Sequence, residues 1–322
     1  MLPGNDALTI CFAHAAYRLQ DRFALRGTGI HSIEVRDRAA LEAAITAVNI
    51  LVVSGLWNDA LIPCAPRLCF IQSISAGIDQ YGKDALRIAG IRLASAQGVN
   101  AQAVAEHAMA LILALSRRLP EARDNQAKRL WRGMIGDLAQ REDELSGKTL
   151  LIVGLGRIGG RLAHLAKAFD LRVVGIRRDP AGGRNGADEV HGLNQLRALL
   201  PQADIVALTC PLTPETEGLI GAEALSLMQP TAHLINVARG RVCVEAALVE
   251  ALAHGRIAGA ALDCTEVEPL ARDSPLWAMP NVLITPHTAG ETRRYEDRVI
   301  DLLLENIAKL RCGDSALQNQ IV

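Results

Sequence analysis

Residues 149–159 read Thr-Leu-Leu-Ile-Val-Gly-Leu-Gly-Arg-Ile-Gly, an apolar β-branched run followed at once by three glycines spaced as Gly-x-Gly-x-x-Gly. A helical pattern over residues 161–169 follows directly. In such a strand, turn and helix, Gly154 permits the tight turn, Gly156 lets the backbone approach a pyrophosphate, and Gly159 lets the helix pack on the strand. The helix N-terminus then faces the phosphates. This context predicts dinucleotide binding, although the glycines alone also suit an ordinary turn or an S-adenosylmethionine site.

Short β-branched runs alternate with longer helical stretches on both sides of this motif, a pattern typical of an α/β fold with mainly parallel sheets. Together with residues 149–153, five later runs predict a six-stranded, doubly wound Rossmann domain. Four earlier runs predict a smaller, doubly wound, flavodoxin-like substrate domain. The later runs are 172–176, 204–208, 233–237, 259–262 and 282–285, and the earlier ones are 8–13, 50–54, 68–75 and 91–95.

Two long helical patterns flank the later series. Asn100 is a candidate cap for the first helix, whose apolar positions recur at helical spacing until about Pro120. The second helix is predicted over residues 293–310. A chain that ends in this way can return to its first domain.

Composition excludes several classes of protein. The 322 residues carry 34 Lys plus Arg against 35 Asp plus Glu, without a run of like charge that would predict nucleic-acid binding. No apolar stretch reaches the roughly 18 residues of a membrane span, and the first residues lack a secretory signal, so we expect a cytoplasmic protein. Seven scattered cysteines predict neither disulfides nor a thiolate metal site. His107, beside Glu106, has no further ligand at helical spacing, and we predict no metal site.

The residues after the second strand of the motif domain bear on the choice of cofactor. An acidic residue there normally accepts hydrogen bonds from the ribose of NAD. This sequence has Arg177 and Arg178 instead, and guanidinium groups pair well with a 2′-phosphate. NADP is therefore favoured over NAD. In the alternative interpretation one arginine is solvated and Asp179 takes the acidic role.

Three later strands end in Arg239, Asp263 and His287, and a second carboxylate, Glu268, follows Asp263. The carboxyl ends of parallel strands line one crevice, so these side chains are expected to converge beside the cofactor. Carbonyl reduction needs a proton donor, and His287 suits that role near neutral pH. Glu268 can fix the imidazole and favour its charged form, while Arg239 can hold a substrate carboxylate and stabilise the developing oxyanion. Asp263 is expected to position the nicotinamide.

The sequence resembles the D-isomer-specific 2-hydroxyacid dehydrogenase family over most of its length. The matching segments are Ser-Ala-Gly-Ile-Asp at 75–79, residues 100–107 with Ala-Val-Ala-Glu-His, the glycine motif, Pro-Leu-Thr-Pro-Glu-Thr at 211–216, Asn-Val-Ala-Arg-Gly at 236–240, Asp263 with Glu-Pro-Leu at 268–270, and Pro-His-Thr-Ala-Gly at 286–290.

This resemblance implies a catalytic set of Arg239, Glu268 and His287. It also implies a homodimer supported by the helix that begins at Asn100 and links the two domains. The substrate domain is expected to be discontinuous, with residues 1–98 plus 291–322 around a dinucleotide-binding domain of residues 99–290. The backbone amides of Ala76 and Gly77 would hold the substrate carboxylate. The full set of expected cofactor contacts is Gly154, Leu155, Gly156, Arg157, Ile158, Gly159, Arg177, Arg178, Cys210, Pro211, Val237, Ala238, Asp263 and Gly290, and that of substrate contacts is Trp57, Ser75, Ala76, Gly77, Arg239 and His287.

These features predict an NAD(P)-dependent oxidoreductase that reduces a small 2-oxo acid such as glyoxylate or hydroxypyruvate. Phosphoglycerate is a weaker candidate because the first domain shows no cluster of cations for a phosphate. Trp57 is equally well interpreted as a packing residue. An alternative of another class is a nicotinamide-sensing interaction protein with the same fold.

Overall fold

The computed structural model describes residues 2–313 and 316–322. The chain forms two compact units. We call Ala101–Glu291 the middle unit, and Met1–Asn100 with Thr292–Val322 the two-segment unit.

The two-segment unit is built on a five-stranded parallel sheet with the order β2-β1-β3-β4-β5. This is the flavodoxin-like order, in which the chain reverses direction across the sheet between β1 and β3. Strands β1, β3 and β4 are buried along most of their length because helices cover both faces of a parallel sheet. Its elements are β1 Thr9–Ala13, α1 Leu19–Ala24, β2 His31–Val35, α2 Arg38–Ala44, β3 Ile50–Val53, β4 Phe70–Ser73, α3 Lys83–Ile88, β5 Arg92–Ala94 and α10 Tyr295–Cys312.

The middle unit is built on a seven-stranded parallel sheet with the order β12-β11-β10-β9-β6-β7-β8. Counted from β6, this is the Rossmann order 3-2-1-4-5-6 with a seventh strand added beyond the sixth. The prediction of two doubly wound α/β domains is confirmed. Its elements are α4 Ala101–Ser116, α5 Leu119–Ala127, β6 Thr149–Val153, α6 Arg157–Lys167, β7 Arg172–Ile176, β8 Glu189–His191, α7 Leu196–Leu199, β9 Ile205–Leu208, α8 Ala222–Leu227, β10 His233–Asn236, α9 Glu245–Ala253, β11 Gly259–Leu262 and β12 Val282–Ile284.

Short 3-10 helices connect several of these elements. They lie at Asn5–Ala7, Ile45–Ala47, Asp59–Cys64, Leu138–Gln140, Leu193–Gln195, Leu200–Gln202, Gly240–Val242 and Pro275–Ala278.

The strand predictions missed two edge strands, β2 and β8. Both pair with a neighbour on one side and are only partly buried, so their sequences lack a continuous apolar run. Edge strands tolerate polar residues because one side meets solvent.

The long helix that begins the middle unit is shorter than predicted. It ends at Ser116, because Arg118 takes the left-handed backbone conformation with φ +49°, and Pro120 lies in the first turn of α5 instead. The Oδ1 atom of Asn100 is buried and has no hydrogen-bond partner among the described residues, so the predicted side-chain cap is not formed.

None of the helices in the described part of the chain combines the length and the apolar content that a membrane crossing requires.

Candidate active site

The glycine turn between β6 and α6 has the geometry that the motif predicts. Gly154 has φ +107°, and a Cβ atom there would lie 2.4 Å from the backbone nitrogen of Cys210. A Cβ on Gly159 would lie 2.5 Å from the carbonyl oxygen of Gly154, whereas a Cβ on Gly156 would meet nothing within 4 Å. The turn is therefore closed against the sheet and open in front of the helix N-terminus. These residues fit a dinucleotide, because a pyrophosphate needs this open backbone and the N–H groups of the first helical turn.

The loop after β7 uses its two arginines differently. Arg177 donates from Nη1 to the carbonyl oxygens of Gly182 and Gly183, at 2.7 and 3.1 Å. Arg178 is exposed. Asp179 accepts a hydrogen bond from the backbone N–H of Ala181 and so caps a turn of the loop. Arg177 thus shapes the loop, and Arg178 presents a cation on it.

Glu268 and His287 form a hydrogen-bonded pair. The Oε2 atom of Glu268 lies 2.7 Å from Nδ1 of His287, and Oε1 accepts a 3.1 Å hydrogen bond from the backbone N–H of Thr265. Both oxygens of the carboxylate are therefore engaged, which fixes its orientation. The His287 side chain remains 44% exposed, so its other ring nitrogen can reach a ligand.

Arg239 lies on a turn that Asn236 holds from both sides. The buried amide of Asn236 accepts from the backbone N–H of Ala238 at 3.0 Å and donates to the carbonyl oxygen of Arg239 at 3.1 Å. The Arg239 guanidinium donates from Nη1 to the carbonyl oxygen of Ala238 at 2.7 Å.

The turn that carries Arg239 packs directly on the segment that leads to Glu268. A Cβ atom on Gly240 would lie 1.9 Å from the carbonyl group of Thr265. Only glycine allows this close approach.

Asp263 is buried and binds the loop that carries His287. Its Oδ1 atom accepts from the Thr285 hydroxyl at 2.6 Å and from the backbone N–H of Thr288 at 3.0 Å, and its Oδ2 atom accepts from the N–H of Ala289 at 3.1 Å. Asp263 is only 3% exposed. Its predicted contact with the nicotinamide stays a prediction.

Sequence reasoning did not predict the contact between His107 and Thr285. His107 Nε2 lies 2.9 Å from the Thr285 hydroxyl, which itself binds Asp263. The signal in the sequence was weak, since His107 lies 178 residues before Thr285 and only the fold brings them together. Among the described residues, no group of three His, Cys, Asp or Glu side chains is placed to hold a metal ion.

Two cysteines of this region are poor nucleophiles. Burial raises the pKa of Cys210 to about 11. Burial, and then the charges of Glu268 and Asp263, raise the pKa of Cys264 far above its ordinary value, against a smaller opposing effect of Arg239. Both thiols are therefore protonated at neutral pH.

The remaining predicted cofactor residues follow the carboxyl ends of their strands. Because the strands of the middle sheet are parallel, these ends share one edge. Gly290 directly follows Ala289, one of the two residues whose backbone N–H groups bind Asp263. Around the glycine turn the predicted contacts are Leu155, Arg157 and Ile158, and beyond β9 and β10 they are Cys210, Pro211, Val237 and Ala238.

The predicted substrate residues of the two-segment unit follow strands β3 and β4. Trp57 is 5% exposed, belongs to the apolar core of that unit and donates from its indole N–H to Asp59 at 2.8 Å. Ser75 forms a hydrogen bond with the Ser54 hydroxyl, and Ala76 and Gly77 are half-buried. Trp57 therefore packs within its own unit, and the substrate contacts of these residues stay predictions.

The middle unit thus brings a histidine, its carboxylate partner and an arginine to the edge of the sheet where the glycine turn lies. A histidine fixed through Nδ1 can exchange a proton through Nε2, and an arginine can hold an anionic group. These are the groups that reduction of a carbonyl beside a carboxylate requires.

Residues 109–289 match the model of the family described as D-isomer specific 2-hydroxyacid dehydrogenase, NAD binding domain. A glyoxylate reductase of Aeropyrum pernix is 38% identical over 260 residues, which cover 79% of this chain and 76% of that protein. A D-3-phosphoglycerate dehydrogenase of Mycobacterium tuberculosis is 35% identical over 88% of this chain, but this chain spans only 54% of that longer protein.

Among solved structures, an NADPH-dependent glyoxylate/hydroxypyruvate reductase of Sinorhizobium meliloti, in complex with NADP and malonate, superposes with a TM-score of 0.82. It is 27% identical to this chain, and the match covers 98% of this chain and 97% of that one.

Proposed function

The chain belongs to the D-isomer-specific 2-hydroxyacid dehydrogenase family of NAD(P)-linked oxidoreductases, and on this premise we propose that it reduces a small 2-oxo acid, glyoxylate or hydroxypyruvate, with NADPH. In this proposal His287 gives the proton and takes it back in the reverse direction. We further propose that the middle unit holds the dinucleotide and that the two-segment unit is the substrate domain.

The observation that carries the proposal is the 2.7 Å contact between Glu268 Oε2 and His287 Nδ1. Because Nδ1 is occupied, Nε2 is the atom that would donate a proton to the carbonyl oxygen. The nicotinamide, when bound, supplies the hydride. Glu268 stabilises the imidazolium by its charge before the proton leaves, and it keeps the ring in one orientation. Arg239 binds the carboxylate of the 2-oxo acid and places positive charge beside the oxygen that becomes negative.

The choice of a small 2-oxo acid is supported by the relatives. The glyoxylate reductase of Aeropyrum pernix matches over more than three quarters of both chains, whereas the phosphoglycerate dehydrogenase is nearly twice as long as the matched region. Glyoxylate and hydroxypyruvate both present the carboxylate and the adjacent carbonyl that Arg239 and His287 address.

The preference for NADPH rests on Arg178. Its guanidinium is exposed on the loop after β7, where the ribose of a dinucleotide lies in this fold. Arg177 supports the loop through Gly182 and Gly183. Asp179, the alternative ribose partner, accepts the N–H of Ala181 through Oδ1.

We also propose that the protein is a homodimer. The segment after α4 carries exposed apolar side chains, and an exposed patch of this kind marks an interface. Substituting Trp131 and Met134 with serine is expected to convert a dimer to a monomer in sedimentation equilibrium. A wild-type protein that sediments as a monomer contradicts the dimer. The exposed apolar side chains of the proposed interface are Leu119, Leu130, Trp131, Met134 and Leu138, of which Trp131 is 97% exposed.

The decisive experiment follows the near-ultraviolet absorbance of NADPH and of NADH with each 2-oxo acid, for the wild type and for His287→Gln. We expect oxidation mainly of NADPH, and a loss of turnover of about 10²- to 10⁴-fold in the variant with unchanged cofactor binding by fluorescence titration. The matched control is His254→Gln, because His254 is an exposed histidine directly after α9.

Normal turnover by His287→Gln would falsify the proton-transfer role. Preference for NADH would overturn the cofactor assignment alone. Binding of NADPH without oxidation, across a panel of 2-oxo acids, would favour the nicotinamide-sensing interaction protein.

A further inference from the structure

The backbone of His287 is in a conformation that histidine rarely adopts. Its φ is +55°, in the left-handed region, and its N–H donates to the carbonyl oxygen of Thr285, two residues earlier, at 3.0 Å. A residue other than glycine stays in this region only where its surroundings hold it there. The residues that hold His287 therefore decide where its ring lies.

One buried carboxylate forms hydrogen bonds with the chain on both sides of His287. Asp263 binds the hydroxyl of Thr285 before it, and the backbone N–H groups of Thr288 and Ala289 after it. Loss of the hydrogen bonds on either side would let the tight turn at His287 change its conformation.

The hydrogen positions in this cluster follow from chemistry. The Thr285 hydroxyl has a single proton, and it is donated to Asp263, because a carboxylate only accepts. At 2.9 Å from the same hydroxyl oxygen, His107 Nε2 must then donate to it. A His107 protonated only on Nδ1 would place two acceptors in contact.

We propose that His107, on helix α4, and Thr285 are positioning residues for His287. They form a directed chain in which His107 Nε2–H donates to the Thr285 hydroxyl, and the hydroxyl donates to Asp263. This chain of hydrogen bonds polarises the Thr285 hydroxyl toward Asp263. It thereby strengthens the hydrogen bonds that keep His287 in its left-handed conformation. His107 Nε2 lies 3.6 Å from Asp263 Oδ1, beyond hydrogen-bond distance, so its hydrogen bond within this cluster is the one to Thr285. This inference rests on the proposed role of His287 as proton donor.

The test uses paired variants of the full chain. Thr285→Val removes the hydroxyl at nearly constant volume, while Thr285→Ser keeps it. We expect Thr285→Val to lower kcat for the 2-oxo acid about 10- to 100-fold, with KM for NADPH changed less than twofold, and Thr285→Ser to retain at least half of wild-type kcat. At the other end of the chain, His107→Gln keeps an N–H donor and is expected to retain activity, whereas His107→Leu is expected to lose at least fivefold in kcat.

A second readout does not depend on turnover. Amide hydrogen exchange of the peptide that contains Thr288 and Ala289 should accelerate at least tenfold in Thr285→Val and stay unchanged in Thr285→Ser, with the exchange of β6 as the internal reference. This measurement still decides the matter if Thr285→Val has a lower melting temperature than expected.

The two proposals fail in different ways. If the wild type is active, His287→Gln is inactive, and Thr285→Val or His107→Leu keeps wild-type kcat and exchange, the positioning role is wrong and the function stands. Equal losses in Thr285→Ser and Thr285→Val would also overturn it, since the hydroxyl would then have no special part. If His287→Gln retains turnover, the proton-transfer role of His287 is wrong, and the positioning role that rests on it is wrong as well.

Discussion

Glu268 is a residue whose two oxygens have separate partners, the ring of His287 and the backbone N–H of Thr265. Glu268→Gln keeps the shape but replaces one acceptor oxygen with an amide and removes the charge. The side chain can then satisfy only one of the two donors as before, and the imidazolium loses its counter-ion. We expect kcat to fall about 10- to 100-fold, with less than a threefold change in cofactor affinity, in steady-state assays. Glu266→Gln, two residues earlier, is the matched control, and equal effects of both variants would exclude a special role for Glu268.

Arg178 is a second single residue whose substitution is expected to have a specific effect, here on cofactor preference. Arg178→Gln removes the exposed cation proposed to meet the 2′-phosphate, and charge-assisted hydrogen bonds to phosphate are worth about 1.5–3 kcal/mol. We expect KM for NADPH to rise about 10- to 100-fold while KM for NADH changes less than twofold. Arg172→Gln, on β7 and paired with Glu189 at 2.6 Å, is the control. A parallel rise for both cofactors would mean that Arg178 acts on the loop and not on the phosphate.

The sequence predicted the functional residues that follow strand ends, but not the residues whose hydrogen bonds fix the loops on which they lie. Arg239 and His287 could be found because parallel strands place their carboxyl ends on one edge, and periodicity reveals where strands end. Thr285 could not be found, because its contact with His107 joins residues 178 positions apart that only the fold brings together. For Trp57 the sequence left two interpretations open, because an indole after a strand suits a pocket wall as well as an apolar core. The structure places Trp57 in the core of its unit.

At the scale of elements, Gly240 determines how the Arg239 turn meets the segment before Glu268. The Cβ atom of Gly240→Ala would lie 1.9 Å from the backbone of Thr265, so the two segments must separate. We expect a loss of about 1–3 kcal/mol in the free energy of unfolding by urea denaturation, together with a fall in kcat. Gly4→Ala, where a Cβ also meets nothing within 4 Å, should change neither. Wild-type activity in Gly240→Ala would show that the site tolerates this separation.

Asp188 joins α6 to the edge of the middle sheet. Its carboxylate accepts the backbone N–H of Val173 and binds the Lys167 ammonium at 2.9 Å, and these contacts hold the pKa of Asp188 below its ordinary value. A lowered pKa means that the stabilisation is complete above the unfolded-state pKa of about 3.9 and is lost as the pH falls toward the folded value.

Asp188→Asn should therefore destabilise the protein by about 1 kcal/mol at pH 7, a value reduced by the partial exposure of the pair, and by progressively less as the pH falls below about 3.9. Denaturant titrations at several pH values measure this difference. Asp124→Asn, on α5, is the control, because Asp124 forms no ion pair within the described residues. A pH-independent difference would contradict the assignment to the carboxylate charge.

Elements with continuous apolar runs were predicted closely, and β6, β7 and β11 begin and end where the sequence indicates. The edge strands β2 and β8 were missed because their sequences, His-Ser-Ile-Glu-Val and Glu-Val-His, contain no continuous apolar run. The end of α4 was misplaced because Pro120 suggested a stop, whereas the backbone already turns at Arg118. Local conformation at a single residue is not encoded in periodicity.

At the scale of the whole molecule, the two-segment unit depends on both parts of the chain. The buried amide of Asn306, on α10, donates to Gln72 Oε1 at 2.9 Å and accepts the backbone N–H of Gln318 at 2.7 Å. Asn306→Ala leaves Gln72 Oε1 buried without this bond and removes the acceptor of the half-buried Gln318 N–H, and we expect a loss of about 1–3 kcal/mol. Hydrogen exchange of strands β4 and β5 measures it, with Glu305→Ala as the exposed control. Unchanged exchange in Asn306→Ala would show that solvent replaces the lost bonds.

The same two-segment construction has a consequence for synthesis on the ribosome. The first hundred residues emerge with the sheet β2-β1-β3-β4-β5, but Tyr295, Val299 and Ile300, which belong to its apolar core, are translated only after the entire middle unit. At about 5–20 residues per second, that interval is on the order of 10–40 s. During this time the nascent sheet lacks part of its cover, so the segment made first completes its fold last, and the middle unit can mature ahead of it.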